Sequence, residues 1–423
     1  MNHSQNVDHE SVLRARAILL GSGRIGLHEE IRAYRVLAQV GPLTYLPKLV
    51  RALLMLSHLE FRDRPEIQLN LIAEALTAVR RLDASEPKRT ELLIETLNDY
   101  QHQLYTLGRR AEGFAVREEM ALTGRRAFKD GEVDSPVFGC GPLAAGLAEE
   151  GRHLEAAQLY GEMVEAVRSG GDPSDGRLWW PMVEWSAELD AAGLHDAAID
   201  AFTELSAAGR AELEGGRSSL SIRVWELVRL AQLLDARARH DEARTARGDV
   251  LTLLAELAAT GERKSWSNIV DWWTVLLGLS GRADEQPAPG EPAPPFGSPD
   301  GWSPDIRRAY VEGRTALEET VAVLTPLARR DPRRHLAELI TVQRRLTIRS
   351  AVHQRGHHYR FMENLRPLFD EGVALARRSA GLGEDQGPDL LARALTDRST
   401  LLVAGKQYAE AHDDFQEAAA LLG

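Results

Sequence analysis

One short phrase recurs along this chain and constrains what it can fold into. A glycine or small residue leads into an aromatic or basic residue, with Ala three later, a large side chain four beyond it, and an apolar residue three further on. Gly151 to Met163 reads G-R-H-L-E-A-A-Q-L-Y-G-E-M, with His153, Ala156 and Tyr160 in the marked places. Gly193 to Leu205 repeats it with His195, Ala198 and Phe202, and Gln407 to Ala418 with Tyr408, Ala411 and Phe415. Weaker copies use Arg110, Gly113 and Arg117, then His240, Ala243 and Arg247, then His358, Phe361 and Leu365. Residues three and four apart share one face of a helix. The small Ala lets two helices approach, and the large residue beyond it fills the space alongside. The leading Gly ends the helix before, where positive φ costs it little. Each phrase therefore predicts a turn followed by the second helix of a hairpin.

Apolar residues at helical spacing lie upstream of each phrase, as in Leu143 and Leu147, Val183 and Leu189, or Leu227, Leu230 and Leu234. They predict the first helix of each pair. No stretch shows sustained period-two alternation with β-branched residues, so no sheet is expected.

The phrase resembles the second-helix signature of the tetratricopeptide repeat family, in the divergent form found in bacterial regulators and scaffolds, and the likeness covers most of the chain. The family's Leu-Gly pair in the first helix is replaced here by Ala144, Ser186, Ala231 and Ser399, which are still small. The phrases at His153, His195 and His240 are spaced by 42 and 45 residues, against about 34 in the family, which implies longer helices or loops. Leu37 to Leu49 and Leu327 to Leu339 also resemble one another, with Pro42 and Pro332 in the same place. Each predicts a helix end, a proline turn and a new helix.

The array is expected to break after Ser280 and Gly281. Gln286 to Pro304 holds seven of the nineteen prolines, so neither helix nor strand can persist through it. It reads as a mobile linker or as a strap docked on the helices, and Phe296 and Trp302 favour docking. The predicted organisation is an array over 1–281, a proline-rich loop over 282–304, and further hairpins continuing the array over 305–423. The predicted fold class is an all-α, tetratricopeptide-like α-solenoid of antiparallel helix hairpins.

All eight tryptophans fall between Trp179 and Trp302. They can fill the core between thick helices or line an aromatic groove. The family resemblance implies that first helices line a concave surface. Counting back from the phrase residues then places Trp180, Trp225 and Asn268 at one early position of successive repeats. The same count turns Phe138, Asp190, Gln232, Asp235 and Asp271 toward that groove, with Glu95, Asn98, His102 and Tyr105 upstream. Such a surface would suit a peptide carrying basic and apolar side chains.

Other chemistry is weaker. Gly21, Gly23 and Gly26 form a nominal G-x-G-x-x-G. The acid about 20 residues on that a dinucleotide ribose needs is missing, because no acidic residue lies between Glu30 and Glu60, and no strand follows. A hairpin turn between the first two helices is expected instead. The repeated His153, His195, His240 and His358 suggest packing. His357 and His358 are adjacent, so they point to different helix faces, and Asp172 to Gly176 lacks the spacing of a calcium loop. Cys140 is the only cysteine, which excludes an intrachain disulfide. It reads as buried or incidental. No protease, P-loop or nucleophile-elbow motif occurs.

A net charge of −12 argues against general phosphate-backbone affinity. The arginine runs Arg329, Arg330, Arg333, Arg334 and Arg344, Arg345, Arg349 read as solvated faces. The first ten residues lack a signal pattern, and no apolar run approaches the ~20 residues of a membrane span. The expectation is a cytoplasmic, non-enzymatic interaction protein that binds a partner protein or peptide. It needs no cofactor or metal and touches no nucleic acid or membrane. The alternative is a sensor module that responds to a small molecule or peptide and acts on transcription through a partner.

Overall fold

The computed structural model describes residues 8–20, 25–83, 86–170, 178–216, 218–264, 269–285, 291–294, 297–354, 360–383 and 385–423. Among them the chain forms eighteen α-helices, one short 3-10 turn at Arg282–Asp284 and no strand. It divides into two compact units, Met1–Gly146 with Ser303–Asp305, and Leu147–Trp302 with Ile306–Gly423. The boundary falls inside a helix, at Gly146.

Unit one holds α1 (His9–Leu20), α2 (Leu27–Val40), α3 (Pro42–Glu60), α4 (Pro65–Arg80), α5 (Arg89–Thr106) and α6 (Arg110–Lys129), each packed on the next. Its core gathers Leu53, Ile72, Val79, Leu97 and Met120. α2 ends and α3 begins around Pro42 as expected, because proline at the first helical position has no N–H to leave unsatisfied. α1 and α2 flank the predicted glycine turn; Gly21 and Gly23 lie outside the described residues.

α7 (Gly141–Glu149) spans the boundary. Unit two continues with α8 (His153–Gly170), α9 (Trp179–Ala191), α10 (His195–Glu214), α11 (Leu220–Asp235), α12 (His240–Thr260) and α13 (Ile269–Ser280). After the strap come α14 (Pro304–Arg330), α15 (Pro332–Gln354), α16 (Phe361–Gly381), α17 (Gly387–Ala404) and α18 (Tyr408–Leu422). α8, α10 and α12 run 18, 20 and 21 residues, and these long second helices help to stretch the repeat spacing.

One turn recurs between paired helices. Two residues before Arg110, His153, His195, His240 and Tyr408, the chain takes positive φ at Gly108, Gly151, Gly193, Ala238 and Lys406. In each, the next residue's N–H bonds the carbonyl five back, as in Arg152 to Leu147, Leu194 to Leu189 and Gln407 to Leu402. This is the Schellman helix stop. The small first-helix residues do more than permit contact, for Ser186 Oγ donates to the Ala198 carbonyl at 2.8 Å and Ser399 Oγ to that of Ala411 at 2.7 Å.

The C-terminal hairpins do not continue the array in chain order. α17 and α18 pack on α11 and α12, α16 packs on α17, and α15 on α16. α13 lies against α11, α15 and α17. The hairpin next to α11–α12 is therefore the last one in the sequence. A single core runs through α9 to α13 and α15 to α18, with Trp225, Trp273, Phe202, Phe369 and Phe415 inside it.

Candidate functional site

Helical spacing aligns Trp180, Glu184 and Glu188 on one row of α9. Trp180 and Glu184 are half-buried, and Glu188 is fully buried. Trp179, Trp180 and Trp272 form one cluster. Trp179 meets Trp180 edge-on at 4.7 Å and Trp272 at 4.0 Å, and Trp180 lies 5.4 Å from Trp272. The Trp179 N–H donates to Glu226 at 2.9 Å. The buried Trp272 N–H finds no acceptor among the described residues, a cost that a ligand carbonyl could relieve after a small ring movement.

The two acids of the row differ. Glu188 accepts an ion pair from Arg282 at 3.2 Å, and Nδ1 of His153 lies 2.7 Å away. Arg282 also donates to the Ala187 carbonyl at 2.9 Å. Among the described residues no cation pairs with Glu184, which accepts from the Ser298 backbone N–H at 3.3 Å. Burial, helped by the Glu188 charge, pushes the Glu184 carboxyl up to about 7. Desolvation outweighs the single hydrogen bond that favours the charged form.

That N–H belongs to the proline-rich strap. Its described part is held at Ala293, whose N–H donates to the Glu149 carbonyl at 3.0 Å, and at Ser298. Gly297 and Pro299 are buried, and a Cβ on Gly297 would stand 2.4 Å from Glu184 Oε1, so the backbone itself presses on the acid. Asp284 pairs with Arg344 at 2.6 Å, and Glu285 takes a two-pronged bond from Arg349 at 2.8 and 2.6 Å. Trp302 is buried, edge-on to Tyr310 at 5.1 Å. Ala293 and Ser298 of the strap are thus held against α7 and α9; Phe296 lies outside the described residues.

The other expected groove residues scatter. Trp225 is 1% exposed and Tyr105 fully buried, so neither presents a surface. Trp225 lies in the core because α13 and α17 cover α11 in addition to its neighbours α10 and α12. Asp190 lies 2.8 Å from Nδ1 of His195, and Asp235 pairs with Arg247 at 2.5 Å and with His240 at 3.4 Å. Those acids are engaged within the chain. Gln232 and Asp271 are half-buried, and Asn268 lies outside the described residues. In unit one, Glu95, Asn98 and His102 share an exposed face of α5, and Phe138 is half-buried against the core.

The repeated histidines are not packing residues. His153, His195 and His240 are partly or well exposed and pair with carboxylates. His357 and His358 lie outside the described residues, as does the Asp172 to Gly176 loop. Cys140 is buried. Arg344, Arg345 and Arg349 do not form a solvated face but pair with acids of the segment after α13 and of α17. Sequence reading also missed Arg229, one turn beyond Trp225. It makes no hydrogen bond or ion pair among the described residues, and burial, opposed by Asp190 and aided by Arg282 and Arg344, pushes it down to about 10. A shallow pocket lies between α15, α16 and α17, lined by Ile340, Leu368, Phe369 and Leu390 with Arg344 and Arg393.

No protein-family model matches the chain. No curated protein matches it. Among solved structures, it is similar to BtubC (BKLC) from P. vanneervenii at 17% identity, over 57% of this chain and 91% of that one, with a TM-score of 0.40. It is also similar to a Rap protein complexed with competence and sporulation factor at 11% identity, over 86% of this chain and 97% of that one, with a TM-score of 0.35. No helix among the described residues is long and apolar enough to cross a membrane.

Proposed function

We propose that unit two is a non-enzymatic docking module that holds an extended segment of a partner protein on the α9 face. The observation that carries this reading is the half-buried Trp180 and Glu184, one turn apart beside Trp272, whose N–H has no acceptor among the described residues. An aromatic wall with a few placed polar groups is how helix-lined surfaces gain both area and register. A random peptide library displayed against the wild-type chain tests it. Sequences enriched on wild type should be lost on Trp180→Ala at unchanged thermal stability. Enrichment that ignores Trp180, or none at all, rejects the reading.

A second reading is a sensor that responds to a small molecule and acts on transcription through a partner. The pocket between α15, α16 and α17 favours it, since an apolar wall with Arg393 beside it suits a small amphipathic acid. A thermal-shift screen of such acids against wild type and Leu368→Trp, which fills the pocket, decides it. Stabilisation of wild type alone supports the sensor; no hit removes it.

A further inference from the structure

We infer that the partner segment carries an acidic side chain, and that the half-buried guanidinium of Arg229 on α11 is the group that receives it. The inference rests on the docking-module reading and supplies the chemistry of its partner.

Arg229 stands eleven residues before the phrase residue His240, as Glu184 does before His195 and Asp397 before Tyr408. The three therefore hold one register on the first helices of three neighbouring hairpins of unit two. The other two are each met from elsewhere in the chain, Asp397 by Arg344 at 2.7 Å and Glu184 by the Ser298 N–H at 3.3 Å. Arg229 makes no hydrogen bond or ion pair among the described residues. Nor does the side chain of Gln232, half-buried one turn further along the same face.

The charges around Arg229 are already engaged. Asp190, whose charge acts on it from α9, lies 2.8 Å from Nδ1 of His195 and 3.6 Å from Arg237. Arg282 and Arg344, the two cations that act on it, have their own acids in Glu188 at 3.2 Å and Asp284 at 2.6 Å. Burial pushes Arg229 down to about 10, which still leaves it charged at neutral pH. One unmatched positive charge is balanced by one negative. A carboxylate meets a planar guanidinium through two parallel bonds, whereas a dianion would add repulsion from Asp190 and Glu188.

Placement also sets the spacing. The bond from the Trp179 N–H to Glu226 holds α9 directly on α11, and Arg229 lies one turn beyond Glu226. Packed helices lie about 8–10 Å apart, and an extended chain advances about 3.3 Å per residue. A segment whose apolar residue packs on Trp180 therefore brings its acid to Arg229 about three residues away.

Trp180-dependent sequences from the peptide library should carry Asp or Glu at one fixed offset. One such peptide and its Asn or Gln counterpart are labelled, and fluorescence anisotropy is measured on wild type and on Arg229→Gln. Wild type should bind the acidic form about 10- to 100-fold more tightly, the range expected for hydrogen bonds between charged groups. Arg229→Gln should bind both forms alike, at the weaker level. Its melting temperature should be unchanged or higher, because the guanidinium makes no bond for the substitution to break. Trp180-dependent sequences without an acid, equal binding of the two forms by wild type, or a preference that survives Arg229→Gln each overturn the inference and leave the docking module standing. A lower melting temperature for Arg229→Gln also overturns it, since the guanidinium then serves the fold. The two peptides are compared on wild type as well, so the inference stays exposed even where the variant fails to fold. A library without enrichment removes the docking module and the inference together.

Discussion

The indole N–H of Trp225 donates to the backbone carbonyl of Thr400, 3.2 Å away and 175 positions later in the chain. Trp273 reaches the hydroxyl of the same threonine at 2.9 Å. One residue of α17 thus ties α11 and α13 together inside the core, so the last repeat is part of what holds the middle ones. Trp225→Ala is predicted to cost about 3–5 kcal/mol by leaving a cavity. Trp180→Ala, at a half-buried site, should cost much less. Urea unfolding of the two variants gives the ranking, and an unchanged midpoint for Trp225→Ala would refute the tie.

Ala238 and Lys406 hold φ of 55° and 59° in turns where the equivalent residue is otherwise Gly108, Gly151 or Gly193. A non-glycine side chain in that conformation costs roughly 1–2 kcal/mol. Ala238→Gly and Lys406→Gly are each predicted to stabilise the protein by about 1 kcal/mol, less the added freedom of the unfolded chain. Gly193→Ala should do the reverse. Equilibrium denaturation that shows Ala238→Gly destabilising would mean the turn is not strained.

Glu184 sits at about 7 in the folded chain, against an ordinary value of 4.5. The folded state therefore holds this proton more tightly than the unfolded state. Its contribution is fully present below pH 4.5 and is lost as pH rises toward 7. Glu184→Gln removes the penalty, so it should raise the melting temperature at pH 8 and leave it unchanged or lower at pH 4. Parallel melting curves at the two pH values check the sign. Equal shifts at both would exclude a buried carboxyl.

Arg344 joins Asp284 at 2.6 Å and Asp397 at 2.7 Å in a buried position. Arg344→Met would strand the buried Asp397 and the partly buried Asp284, and breaking such a group typically costs about 3–5 kcal/mol. Arg330→Met, on an exposed face, should stay within about 0.5 kcal/mol. Comparable losses at both sites would show that the Arg344 network contributes nothing special.

Helix hairpins were legible because their causes are local. Ala156, Ala198 and Ala411 mark helix contacts through spacing alone, and a glycine before a phrase marks a stop through its φ freedom. Pro42 and Pro332 open α3 and α15 because proline suits the first turn of a helix. The candidate site was legible only in part. Trp180 and Trp225 stand at the same distance ahead of equivalent turns at Gly193 and Ala238. Trp225 is buried because α13 and α17 also pack on α11, a long-range contact that counting along one repeat does not reveal. Glu184 and Arg229 gave no signal, because isolated charges on a helix are ordinary until their surroundings are known.

The sequence by itself determined the elements: helices, their paired order, their stops and a proline segment that could join neither helix nor sheet. Only the tertiary structure decided that α17–α18 sits beside α11–α12, that Arg344 is buried among acids, and that the strap lies on Glu184. Those outcomes depend on which surfaces meet across separations from 53 to 175 residues, and the energy of such a meeting belongs to both surfaces at once. No periodicity within either segment can encode it.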